Sequence, residues 1–152
     1  MVNEMAYDFQ VAVDAARPHV LADWWADALG WDVEPTDEAF IRRMIAEGYA
    51  TEDDTMTHNG GLVWTEGAAI RHPGGPDSGN SGNSGRIYFQ LVPEPKTAKN
   101  RVHLDVRVGA GNIEAEQARL TASGATFLHR ASQGPDSWVT MADPEGNEFC
   151  IT

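Results

Sequence analysis

The chain has 152 residues, 41% of them hydrophobic and 22% charged, with a formal net charge of −12. That length fits one domain with a real apolar core. The acidity excludes a nucleic-acid binder, because no Lys/Arg run is present to neutralise phosphates, and it opposes adhesion to an anionic membrane. Charge of this kind ordinarily serves solubility, and less often a cavity for a cationic ligand. The single cysteine, Cys150, excludes an internal disulfide and a Cys-rich zinc cluster. Met1 to Glu4 lack the basic-then-apolar pattern of a leader, and no stretch approaches the ~18 apolar residues of a spanning helix, so the expected location is the cytoplasm.

In chain order, Phe9-Gln10-Val11-Ala12-Val13 reads as a strand with Phe9, Val11 and Val13 on one face. Pro18 suits a first helical turn. Leu21, Trp24, Trp25, Ala28 and Leu29 fall on one helical stripe that Gly30 terminates. Trp31 to Pro35 predicts a short strand. Thr36 and Asp37 can cap a second helix, with Phe40, Ile41, Met44 and Ile45 as its apolar stripe and Gly48 at its end. Asp53 and Asp54 read as solvated loop charge, since nothing nearby matches a calcium loop. Gly60 to Trp64 and Ala68 to Ile70 form the third strand region.

Residues 74–85, rich in Gly, Ser, Asn and Pro, read as a flexible loop and lack the lysine of a phosphate cradle. Ile87 to Val92 is a strand. In Val102 to Val108, Val102, Leu104, Val106 and Val108 alternate with His103, Asp105 and Arg107, so one face is apolar and the other polar. Asn112 can cap a helix running to Ser123, closed by Gly124. Thr126–Leu128, Trp138–Met141 and Glu148–Ile151 are strands, the last two joined by the turn Asp143-Pro144-Glu145-Gly146-Asn147.

The two halves repeat a strand–helix–strand theme. Gln10 stands in the first strand as His103 stands in its counterpart, and each half ends on an aromatic followed by a polar or thiol residue, Phe89-Gln90 and Phe149-Cys150.

Three segments carry a family likeness. Pro18…Leu21-Ala22-Asp23-Trp24-Trp25…Leu29-Gly30-Trp31 resembles the first module of the vicinal-oxygen-chelate proteins. Asn100-Arg101-Val102-His103-Leu104-Asp105-Val106 is similar to the start of their second, and Asp143 to Cys150 resembles the closing hairpin of their glyoxalase-like branch, the branch shared with bleomycin-resistance proteins. The resemblance implies an α+β fold: two βαβββ modules forming a curled mixed sheet around a cavity, with an extra helix inserted in the first. It implies one domain over 1–152, with module 1 over about 6–95, including an insert at 36–60, and module 2 over about 100–152. Phe9/Val11, Val102/Leu104 and Phe149/Ile151 would then face the helices, and Gln10, Gln90, His103 and Cys150 the cavity.

In metal-dependent relatives similar to glyoxalase I, those four cavity positions hold His or Gln, Glu, His and Glu. Here both carboxylates are missing. Neutral amides bind divalent hard cations weakly, and an amide cannot abstract a proton, so no metal is expected; zinc, nickel or manganese are the ions a residual site would take. His103 is the candidate base or ligand, with Asp105 orienting its imidazole; the bland reading of the polar face is an Asp105–Arg107 ion pair or a structural histidine. Cys150 reads as a small buried filler before it reads as a nucleophile. Tyr88, by alternation with Gln90, and Trp64, His72 and Trp138 can reach the cavity or its rim, which suits a planar or amphipathic ligand.

Three functions follow. The first is metal-free binding or sequestration of a small molecule, cationic or aromatic, as in bleomycin-resistance proteins. The second is a lyase or isomerase built on His103, other than glutathione-dependent glyoxalase I. The third is an interaction module with a vestigial cavity. The resemblance also implies a homodimer, and the 36–60 insert is expected to cap the cavity, set specificity or build that interface.

Overall fold

A computed structural model describes residue 5, residues 7–74 and residues 85–152. The chain forms two compact units, Met1–Pro93 and Glu94–Thr152. The Gly/Ser/Asn loop expected at 74–85 lies almost wholly outside the described residues.

The first unit begins with β1 (Val11–Ala15) and α1 (Pro18–Leu29), followed by β2 (Asp32–Val33). Proline at the first helical position costs α1 nothing, because the N–H it lacks has no partner there in any helix. Gly30 ends the helix in the left-handed conformation, at φ 68°, and the Trp31 N–H closes the turn on Ala26 O at 2.9 Å. The helix buries Leu21, Ala22, Trp25 and Ala26; Trp24, expected in the core, is half-buried and meets Trp25 edge-on at 5.1 Å.

Next come α2 (Glu38–Ala46), the hairpin β3 (Thr55–His58) and β4 (Gly61–Trp64), β5 (Gly67–Arg71) and β6 (Arg86–Leu91). The Asp37 side chain caps α2 by accepting the Phe40 N–H at 3.0 Å. Of the four apolar residues in the α2 stripe only Ile41 is fully buried, so this helix covers far less than its pattern promised. Between α2 and β5 the hairpin β3–β4 forms a two-stranded sheet of its own. It is fastened to α1: His58 Nε2 bonds Asp23 Oδ2 at 2.6 Å, His19 Nε2 donates to Trp64 O at 2.7 Å, and the two imidazoles meet at a tilt, 5.1 Å between centroids.

The second unit holds β7 (Asp105–Val106), α3 (Ile113–Ala122), β8 (Thr126–Gln133), β9 (Asp136–Ala142) and β10 (Glu148–Ile151). Its sheet order, β7-β10-β9-β8, repeats the β1-β6-β5-β2 order of the first unit, and in both the first strand runs parallel to the last. The fold is therefore α+β with the βαβββ theme twice, as the resemblance implied. Phe89 and Phe149, at matching places in β6 and β10, are both fully buried.

Several boundaries differ from expectation. β7 spans two residues, not 102–108, because only Cys150 and Ile151 of the short β10 pair with it; Val102 is 83% exposed and Phe9 59% exposed, so neither faces a helix. Asn112 does not cap α3 with its side chain; its Nδ2 bonds backward to Val108 O at 2.8 Å. β8 runs five residues beyond Leu128, and the turn after it places Gly134 at φ 57°.

Candidate functional site

The second unit's sheet sets four side chains in one transverse row. In the register, His129 of β8 stands opposite Thr140 of β9, Thr140 opposite Cys150 of β10, and Cys150 opposite Asp105 of β7. Neighbouring strands lie ~4.8 Å apart, so these four residues form a continuous polar band. Trp138 and Glu148, two residues from Thr140 and Cys150, share their face by the period-2 alternation. The band opens into a pocket of about 450 Å³ lined also by Lys99, His103 and Thr152.

Within it, His103 Nδ1 meets Asp105 Oδ1 at 3.0 Å. A carboxylate only accepts, so the imidazole donates through Nδ1 and its neutral form keeps the lone pair on Nε2. Among the described residues Asp105 thus pairs with His103 rather than with Arg107. The Thr140 hydroxyl and Cys150 Sγ share a hydrogen bond at 3.4 Å. One donor atom each of His103, Asp105 and Cys150 lies within 4.8 Å of the others.

Glu148 is held differently. Its carboxylate accepts from Lys96 Nζ at 2.9 Å and from the Asn100 N–H at 3.0 Å. Burial pushes its pKa up, but these bonds outweigh that and bring it down to about 2. The charge is spent inside the protein. Asp143, buried in the preceding turn, accepts the Glu145 and Asn147 N–H groups at 2.9 Å each, the turn chemistry its sequence promised.

Gln10, Gln90, Tyr88 and Trp64 belong to the first unit. There the equivalent row reads Asp14–Gln90–Gly67, and Gln90 Nε2 donates to Asp14 Oδ1 at 3.3 Å. Asp14 therefore occupies Asp105's place and Ala12 that of His103; Gln10, just before β1, sits two residues early. Matching Gln10 to His103 by their distances to the helix-closing Gly30 and Gly124 fails because a three-residue turn, Ala110–Asn112, precedes α3. Gln10 Oε1 accepts from Arg86 at 2.7 Å, and Arg86 grips Glu34 with two bonds of 2.8 Å. That clamp holds Glu34 below the usual carboxylate range, the Arg86 bonds being the largest cause. Arg86 also lies over the Tyr88 ring, whose hydroxyl burial raises above its ordinary pKa with help from Glu66. Trp64 is half-buried in the hairpin, and His72 meets Trp31 edge-on at 5.6 Å.

The donors at His103, Asp105 and Cys150 fit a hard divalent cation poorly, since they bring one carboxylate among them. The His103–Asp105 bond is the outer-sphere arrangement that orients a ligating histidine. With it in place, Nε2, Sγ and the second oxygen of Asp105 remain, as many donors as a catalytic zinc site takes from its protein.

Reasoning from sequence missed His129, Thr140, Lys99 and Glu148. Thr140 was legible, since alternation along β9 puts it beside Trp138. His129 was not, because a register irregularity between Phe127 and His129 resets the phase of β8.

A family model described as "Glyoxalase-like domain" matches residues 10–152. No curated protein matches the chain. Among solved structures, a protein of Agrobacterium tumefaciens has TM-score 0.61 at 12% identity, over 97% of this chain and 96% of its own. A protein described as a possible glyoxalase from Bacillus cereus has TM-score 0.58 at 10% identity, over 96% and 97%. A glyoxalase/bleomycin resistance protein/dioxygenase family enzyme from Burkholderia phytofirmans has TM-score 0.57 at 14% identity, over 93% and 94%. At such identities the likeness is one of fold.

Proposed function

The chain belongs to the glyoxalase-like domain family of the vicinal-oxygen-chelate superfamily, and from that premise we propose that it binds a small, planar aromatic molecule in the second-unit pocket without a metal. The pocket carries this reading. Its volume of about 450 Å³ lies within the ~300–1,000 Å³ range of small-molecule sites. Trp138 and the imidazoles of His103 and His129 give it flat surfaces, and His103 Nε2 offers an acceptor that fixes orientation.

The charges favour a neutral ligand, or a cationic one that meets the exposed Asp105. Glu148 is already paired with Lys96, and the net charge of −12 opposes anions. Gln90 and Cys150 stand where the resemblance implies carboxylates in metal-dependent relatives, and an amide cannot abstract a proton, so binding rather than the glyoxalase I isomerisation is the function proposed.

Two measurements test it. Metal analysis of the purified protein, then titration with zinc, nickel and manganese, is expected to show no stoichiometric ion; an ion lost in His103→Ala would overturn the metal-free reading. Titration with neutral aromatic ketones, followed by NMR shifts of the Trp138 and His129 signals, is expected to saturate. Trp138→Ala should weaken binding about tenfold, roughly 1.4 kcal/mol, with the fold intact because the side chain is only half-buried.

A further inference from the structure

We propose that Cys150 is a nucleophile, served by the His103–Asp105 pair, that captures α,β-unsaturated carbonyl compounds in this pocket; the inference rests on the binding reading above and names its substrate class. Cys150 is not an isolated thiol. It lines a pocket, it stands directly across the strand ladder from Asp105, and its sulfur, a ring nitrogen of His103 and a carboxylate oxygen of Asp105 fall within 4.8 Å of one another.

Each partner has a part that its chemistry allows. Asp105 accepts the Nδ1 proton of His103 at 3.0 Å, which leaves Nε2 as the proton acceptor and stabilises the imidazolium that forms. One ring nitrogen of His103 lies within 4.8 Å of Sγ, and rotation of the exposed imidazole or one water brings Nε2 within reach of the thiol. The Thr140 hydroxyl, 3.4 Å from Sγ, can turn its proton toward sulfur and stabilise the thiolate. Trp138, two residues along β9 from Thr140, supplies a flat wall for a conjugated ligand.

The step balances without a further reagent. The thiol proton passes to His103 and sulfur bonds the β-carbon. The carbon–carbon π pair then shifts to give the enolate, and the imidazolium returns the proton to the α-carbon. Nothing is oxidised or reduced, and the product is a saturated thioether on Cys150. A thiol nucleophile needs an electrophile with its own electron sink, and a carbonyl conjugated to the alkene takes up the displaced π pair as the enolate.

The test uses the whole protein and benzylideneacetone, a planar aryl enone. Because the chain has one cysteine, intact mass reports the site directly. At neutral pH the protein is expected to gain one adduct at least tenfold faster than N-acetylcysteine, and Cys150→Ser to gain none. His103→Gln, an exposed position, should slow capture at least tenfold while thermal unfolding stays unchanged. The rate of this variant should then depend on pH more steeply than that of the wild type. A wild-type rate equal to that of N-acetylcysteine, or a His103→Gln rate equal to wild type, overturns the inference. Benzylacetone, the saturated counterpart, separates the two readings. If it binds while the thiol is ordinary, the pocket stands and the nucleophile falls; if it fails to bind while the thiol is fast, the nucleophile stands and the aromatic pocket falls.

Discussion

The two units share one topology and spend it differently. Each sheet runs its first strand parallel to its last, with a buried phenylalanine, Phe89 or Phe149, holding the last strand to the core. The residue after that phenylalanine begins to tell them apart. In the first unit Gln90 lies between Asp14 and Gly67, and Gly67 leaves the space into which the Tyr88 hydroxyl packs. Arg86, Glu34 and Gln10 then tie off the neighbouring polar groups among themselves. In the second unit the same row reads Asp105–Cys150–Thr140–His129, and it lines a pocket. Duplication thus supplied two equivalent surfaces. In one the polar groups bond each other, Gln90 to Asp14 and both Gln10 and Glu34 to Arg86, and in the other His103, Asp105 and Cys150 gather at a pocket.

The comparison breaks first, if it breaks, in the core. Phe89→Ala and Phe149→Ala should each destabilise the protein by about 3–5 kcal/mol, since both rings are almost wholly buried. Denaturant unfolding of the pair measures this. A loss under about 1 kcal/mol in one of them would show that the two units do not pack alike.

A smaller effect isolates the first unit. A methyl group added at Gly67 would collide with the Tyr88 hydroxyl and come within 2.7 Å of the Phe89 backbone oxygen. Gly67→Ala should therefore cost about 2 kcal/mol and move Tyr88, which a shift in its titration would report. A neutral outcome would show that this row has room to spare.

The next concerns the second unit alone. Glu148 has its pKa lowered to about 2, below its unfolded value, so its contribution to stability is complete above the unfolded value near 4.5. It is lost as pH falls from there through about 2, and is of the order of 2 kcal/mol. Thermal unfolding followed across that window should show the decline, and Glu148→Gln should flatten it. An unchanged profile would mean that Lys96 and Asn100 do not hold the carboxylate in solution. The smallest effect is shared by neither unit's sheet: Gly30→Ala forces a side chain into φ 68° and should cost about 1 kcal/mol in thermal unfolding.

Much of this was legible one residue at a time. The stripe and stop signal of α1, the Asp37 cap, the Asp143–Asn147 turn, the limits of β10 and the doubled theme all follow from patterns within a dozen or so residues, where neighbours along the chain decide the conformation. The hairpin β3–β4 escaped notice because Thr55 to His58 alternates weakly and is fastened to α1 by His58 and Asp23, 35 residues apart.

The site itself divides along the same line. Alternation alone put His103 and Asp105 on one polar face, and the resemblance pointed to Cys150. Register did the rest. A period of two fixes which face a side chain takes but not which residue on the neighbouring strand it meets. Backbone bonds such as that from the Cys150 N–H to Leu104 O, at 2.9 Å, set that register. They brought His129 and Thr140 into line with Cys150, and in the first unit they set Asp14 rather than Gln10 against Gln90. The sequence by itself determined the elements, the repeat and the residue types on each polar face, because those depend on local geometry. Only the tertiary structure decided which of them stand together, because strand pairing joins residues that the chain holds far apart.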